Sequence, residues 1–305
     1  MSTLQCHLFG KFRVQQGTQL VKGLDASKEQ ELLSYLLVRR ERCHPREALA
    51  SLLWADTSTE RSKKYLRQAL WHLQAALEGT EMTSEQVLLV EHDWVQFNLQ
   101  SGLWLDVALF ERAFETTGGV PSNQLDGSEA QILKDAIELY KGDLLDGWYQ
   151  DWCLFERERL QNMYLSMLDK LMTYSEEHCE YETGQSYGST ILRYDRARER
   201  THRQLMHLQY KAGDRTGALR QYERCVAALD EELGVKPERR TVTLYEQIRA
   251  GRLDDAGRDI NFGPKAPLAE VLGRLRQIHL VLADAQKSVR QDIRAVEEGL
   301  KMMKQ

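Results

Sequence analysis

Residues 60–78, ERSKKYLRQALWHLQAALE, decide how this chain is read. Leu66, Leu70, Leu73 and Leu77 recur at three- and four-residue spacing, which gives an amphipathic helix a single apolar face. Arg61, Lys63, Lys64, Arg67, Gln68 and Gln74 lie mostly off that face. A helix packed on one side and basic or amide-bearing on the other suits the DNA major groove. Its cations meet phosphates, while its amides and guanidinium groups meet base edges. A solvated helix surface has the same pattern, so the flanking segments must separate the two readings.

Before this helix, LQCHLFGKFRVQQGTQL alternates loosely and is punctuated by Gly10 and Gly17, which predicts a short antiparallel meander over Leu4–Val21. SKEQELLSYLLVRR reads as a helix with Ser27 as N-cap and Leu32, Leu33, Leu36 and Leu37 inward. Pro45 is expected just inside a second helix, REALASLLW, ending near Ala55–Asp56. After the long helix, QVLLVEHDWVQFNL gives two apolar strands around a polar turn at Glu91–Asp93. Strands, three helices and a hairpin form a winged helix-turn-helix. Helix 47–54 is its support, helix 60–78 its reader and Val87–Leu99 its wing.

The phrase LRQALWHLQAAL, with Trp54 closing the second helix, resembles the reading helix of the Streptomyces antibiotic regulatory protein family. Two positions depart from that pattern. His72 and Gln74 stand where the family usually has arginines, and Asp93–Trp94 stands where the wing usually has a glycine–tyrosine turn. Lys63, Lys64, Arg67, Gln68 and His72 are the expected DNA contacts, with Arg61 and Gln74 on the same helix and Trp71 either a contact or packed.

Composition bounds this reading. The 305 residues allow two domains with an appendage, and 42% hydrophobic with 29% charged content is globular. A net charge of −5 excludes a protein coated in nucleic acid but permits a local basic face. Residues 60–77 carry four basic groups against one acidic group, whereas residues 1–100 carry twelve of each. The predicted DNA binder is therefore weak as a single copy and needs further copies or a partner such as RNA polymerase. Five cysteines without a CxxC pair fit a reduced, cytoplasmic chain, and the absence of an 18-residue apolar run predicts no membrane span.

Residues 101–252 read as helical throughout. WLDVALFERAFE opens the region, with Asp106 expected to cap a helix that turns Val107, Phe110 and Phe114 inward. TTGGVPSNQLDGS is a loop between two helices, and a long helix runs through DWCLFERERLQNMYLSMLDKLMTYSEEH. Gly213, Ala218, Tyr222 and Cys225 follow Cys179, Gly184, Gly188 and Ile191 by 34 residues, the tetratricopeptide period, and are read as small positions where helices approach closely. The aromatic pair Trp148/Trp152 and the phrase ELGVKP, followed by a T-x-x-LY pattern, resemble the family's bacterial transcriptional activator domain. Tyr187, Arg193, Tyr194, Arg198 and His202 are candidates to line a groove of this array, although packing and internal pairing would explain them equally.

Residues 253–266 form a linker. Beyond it Leu268, Leu275, Leu282, Val289, Val296 and Met303 recur every seven residues, with Val271, Ile278, Ile293 and Leu300 as companions. This is the seam of a coiled-coil-like helix over 267–305 that would join two copies.

No phosphate loop, HExxH, GxSxG or strand-preceded GxGxxG is present, and His202 and His207 lack partners at metal spacing, so neither enzyme, cofactor nor metal is expected. The expected fold is mostly α: a winged helix-turn-helix over 1–100, a tetratricopeptide-like array over 101–252, then linker and heptad helix. The resemblance implies a transcriptional activator that binds double-stranded DNA repeats and recruits RNA polymerase. A helical scaffold whose winged unit binds protein, and a small-molecule sensor using the array's groove, are the other classes the residues allow.

Overall fold

The computed structural model describes residues 4–24, 26–78 and 86–253. They belong to two compact units divided at Tyr245/Glu246, and the second is described only as far as Leu253. The heptad positions from Leu268 to Met303 lie outside the described residues.

The first unit opens with β1 (Leu4–His7), β2 (Arg13–Gln16) and β3 (Gln19–Leu20), the expected meander. Its register pairs Cys6 with Val14 and Gln15 with Leu20. Then come α1 (Ser27–Val38), β4 (His44–Pro45), α2 (Arg46–Leu53), α3 (Thr59–Glu78) and the hairpin β5 (Leu88–Val90) and β6 (Trp94–Phe97). β4 joins the hairpin through the pairs His44–Val95 and Pro45–Trp94. Leu32, Leu33, Leu36 and Leu37 of α1 are fully buried, as their spacing predicts.

Several local expectations need correction. Ala26, not Ser27, holds the extended N-cap backbone, and its carbonyl accepts the Glu29 and Gln30 N–H groups. Ser27 therefore already lies in the helix, and no side chain caps it. Pro45 stands one residue before α2, in the extended conformation that lets it pair with Trp94. The segment expected to begin a helical region at Trp104 first makes a strand, β7 (Trp104–Leu105), parallel to β1.

β7 delivers the chain into α4 (Asp106–Gly118), followed by a 3-10 turn (Ser122–Gln124), α5 (Gly127–Leu139) and the long α6 (Asp151–Glu177). Asp106, expected as the cap, is instead the first residue of α4; Leu105 holds the N-cap backbone and no side chain caps the helix. The buried Asp106 carboxylate accepts N–H groups from Leu8 at 2.8 Å, Phe9 at 3.0 Å and Val107 at 2.7 Å, which ties α4 to the end of β1. Burial raises its pKa to about 6, against the pull of those backbone donors. The loop before α6 adds a second tie. Leu145 donates to the Leu8 carbonyl and Gly10 to the Asp143 carbonyl, while the Arg157 guanidinium gathers the carbonyls of Leu144, Leu145 and Trp148. One hydrophobic core consequently runs from Leu4 to Tyr174, across the winged unit and the first activator helices.

The repeat array continues as α7 (Tyr181–Tyr194), α8 (Glu199–Lys211), α9 (Arg215–Leu233) and α10 (Arg239–Ala250). A second apolar cluster, Leu165, Leu168, Met172, Ile191, Leu205 and Leu208, joins α6, α7 and α8. The 34-residue repeat is visible in the backbone itself. Cys179 and Gly213 both take left-handed conformations at the turns, with φ of 59° and 86°. Gly184 and Ala218 are both buried, as are Ile191 and Cys225. The Gly188/Tyr222 pair departs from the small-residue reading. Gly188 allows close helix packing, whereas Tyr222 stacks on Tyr245 with ring centroids 4.1 Å apart.

Candidate nucleic-acid interface

α3 is fixed from beneath by a buried stripe of Ser62, Leu66, Ala69, Leu70, Leu73 and Leu77, packed against α1 and α2. Half-buried Trp54, at the end of α2, lies 6.2 Å in ring centroid from Tyr65. At 3.6 residues per turn, the ridge opposite the stripe runs through Arg61, Lys64, Gln68 and Trp71, with Arg67 beside it. All five side chains are exposed, and Trp71 retains 67% of its accessible surface. Among the described residues, no ion pair or hydrogen bond engages the side chains of Arg61, Lys64, Arg67 or Gln68.

The two flanks of α3 are arranged differently. On one side Lys63 Nζ meets Glu47 Oε1 of α2 at 2.5 Å; on the other His72 Nδ1 meets Glu29 Oε1 of α1 at 2.7 Å. Gln74 is half-buried. The expected contacts therefore divide. Arg61, Lys64, Arg67 and Gln68 stand on the outer ridge without partners among the described residues, Trp71 stands there against the His72 ring, and Lys63 and His72 pair with carboxylates of α2 and α1.

The wing is held close to the reader by a residue the sequence did not single out. Arg46, the first residue of α2, donates its backbone N–H to the Asp93 carbonyl at 2.9 Å and its guanidinium to the Glu91 carbonyl at 3.0 Å. A cleft results, lined by Arg46, Lys63, Leu66 and Arg67 on the helix side and by His92 and Asp93 at the wing tip. The only sequence signal for Arg46 was a cation directly after a proline at a helix start. Its partners are backbone carbonyls more than forty residues away, which no local pattern reveals. At the tip His92 and Asp93 pair at 2.6 Å in full exposure.

The candidate groove residues of the array do not converge. His202 is buried, with Nε2 bonded to the Arg196 carbonyl at 2.9 Å and Nδ1 to the Gln221 amide at 2.8 Å. Burial lowers its pKa, and neither ring nitrogen remains for a ligand. Tyr187 packs half-buried against the core, and Arg198 turns toward Asp169 at 3.9 Å. Arg193 and Tyr194 are exposed, the latter edge-on to Tyr164. Among the described residues, no group of three His, Cys, Asp or Glu side chains is placed to hold a metal ion, and no helix is long and apolar enough to cross a membrane.

Residues 105–249 match the family model of the bacterial transcriptional activator domain. No curated protein matches the chain. Among solved structures, it is similar to Mycobacterium tuberculosis EmbR in complex with a low-affinity phosphopeptide. The TM-score is 0.62 at 17% identity, over 84% of this chain and 70% of that one, a likeness of fold. A winged helix-turn-helix joined to this helical domain defines a class of transcriptional regulator. The matched domain spans 145 of the 305 residues, and the chain's resemblance to the Streptomyces antibiotic regulatory protein family rests on it and on the motifs quoted above.

Proposed function

We propose that this regulator is a sequence-specific DNA-binding activator. It reads repeats beside a promoter with α3 and contacts RNA polymerase through the helical array. In this reading residues 1–100 bind DNA, residues 101–252 carry the activating surface, and the heptad helix over 267–305, after the linker 253–266, joins two copies in the cytoplasm. Its role is binding, with no catalytic step. The free ridge of α3 carries the proposal: three cations and an amide held outward by a rigid base, with no internal partner among the described residues.

The unit is neutral overall, so affinity must come from this local face and from avidity between copies. The test is selection from a genomic fragment pool with the full chain, followed by titration of the selected site against salt. Binding should weaken steeply with salt. Lys64→Ala with Arg67→Ala should cost about 100-fold, at about 1.4 kcal/mol per charged contact. The same pair should flatten the log–log salt slope by roughly 1.8, at about 0.9 per phosphate. Failure to select any fragment, or affinity indifferent to salt, would refute the proposal.

A further inference from the structure

The most exposed aromatic side chain of the winged unit closes the C-terminal end of the outer ridge of α3. Trp71 leaves 67% of its surface in water although its helix supplies a well-formed core directly beneath. The indole touches the His72 ring, with centroids 5.2 Å apart, and leaves most of its apolar surface open to a partner. Charge complementarity identifies that partner. Arg67 lies about one turn before the indole, with Lys64 and Arg61 further along the same face, all without partners among the described residues, and cations outnumber carboxylates four to one over residues 60–77. A polyanion presenting small apolar groups fits this face. Double-stranded DNA offers phosphates and, in its major groove, the C5-methyl group of thymine.

Building on the DNA-binding reading above, we infer that Trp71 is a specificity residue that recognises a thymine methyl group, beside an adenine read by Gln68. Gln68 precedes Trp71 by three residues on the same ridge, an axial rise of about 4.5 Å at 1.5 Å per residue. Side chains this close on one face of a helix lying in the major groove, where base pairs are about 3.4 Å apart, reach the same or adjacent base pairs. The Gln68 amide has the donor and acceptor needed for adenine N7 and N6, and the indole edge has the apolar surface needed for the methyl. Lys63 and His72 lie on the flanks beside Glu47 and Glu29, off the ridge of Gln68 and Trp71.

The experiment uses the full chain and the site it selects from the fragment pool. Each thymine is replaced in turn by deoxyuridine, which lacks only the methyl, and each adenine by 7-deazaadenine, which lacks N7. Wild type should lose about fourfold at one thymine, the effect of burying one methyl group. It should lose about tenfold at one adenine within a base pair of it, the lower end for a bidentate contact. In Trp71→Ala the deoxyuridine penalty at that thymine should vanish while the adenine penalty persists, and in Gln68→Ala the reverse. Thermal melting verifies that both variants are folded, and Trp71→Gln replaces the alanine variant should it melt early. A deoxyuridine penalty that survives Trp71→Ala, or none at any thymine, overturns the inference while leaving DNA binding intact. Failure to select any site removes the DNA-binding reading and this inference with it.

Discussion

The reader helix and the arginine belt of the repeat array use the same residue types in opposite ways. On α3, Arg61, Lys64 and Arg67 face outward with no carboxylate among the described residues. Between residues 196 and 203 every arginine has one. Arg196 meets Glu231 at 3.2 Å, Arg198 and Arg200 share Asp169, and Arg203 meets Glu238 at 3.2 Å. A third arrangement lies where α1, α4 and α6 meet. Arg39 reaches Glu156 at 2.5 Å, Arg40 reaches Glu111 at 2.6 Å, and Arg159 bridges Glu111 and Glu156. A basic cluster in a sequence points to a partner only after the pairs that the fold itself satisfies have been subtracted. By that measure α3, with three cations unpaired among the described residues, is a better candidate for a polyanion than residues 196–203, where each arginine has a carboxylate.

The α1–α4–α6 network gives the largest effect with which to challenge this ranking. Glu156 is buried and faces two guanidinium groups. Glu156→Ala leaves both without that partner at the joint between the winged unit and the activator helices. Removal of one partner from a buried network costs about 3–5 kcal/mol, and about 3 is expected here because both arginines keep some solvent contact. Denaturant unfolding measures it. A loss below about 1 kcal/mol would show that this joint is screened like an exposed pair, and the distinction between buried and surface pairing would fall.

The array is specified by close packing more than by charge, which is why its outline was legible in the sequence. Gly184 and Gly188 mark where α7 presses on α6 and α8. A methyl at Gly188 would lie 2.7 Å from Leu205 Cδ2 and 2.8 Å from Met172 Cε. Gly188→Ala should therefore destabilise by about 1–3 kcal/mol through overpacking, read as a lower melting midpoint with unchanged operator affinity of the folded fraction. The 34-residue spacing, the hairpin and the leucine stripe of α3 could all be read because each is a local periodicity. What could not be read depends on residues distant in sequence. The parallel pairing of β7 with β1, the reach of Asp106 to Leu8 and Phe9, and the Arg46 clamp on the wing all span more than forty residues. The pairs that Lys63 and His72 make with Glu47 and Glu29 were likewise not legible, because the partners come from α2 and α1.

The smallest effect is also the sharpest test of the comparison. Arg196 and Arg200 are exposed, and their carboxylate partners compete with water. Pairs of this kind contribute about 0–1 kcal/mol each, because the Coulomb gain in high dielectric is offset by side-chain entropy and screened by salt. Arg196→Ala with Arg200→Ala should lower stability by no more than about 1 kcal/mol, and it should leave operator affinity and salt slope at their wild-type values. The matched double substitution on α3 removes the same number of charges and should flatten the slope. If the two pairs flattened it equally, pairing inside the fold would not shield a cation from DNA, and the array would share in the contact. If only the α3 pair did so, the unpaired ridge would account for the phosphate contacts, and the belt of the array would serve to hold neighbouring helices in register.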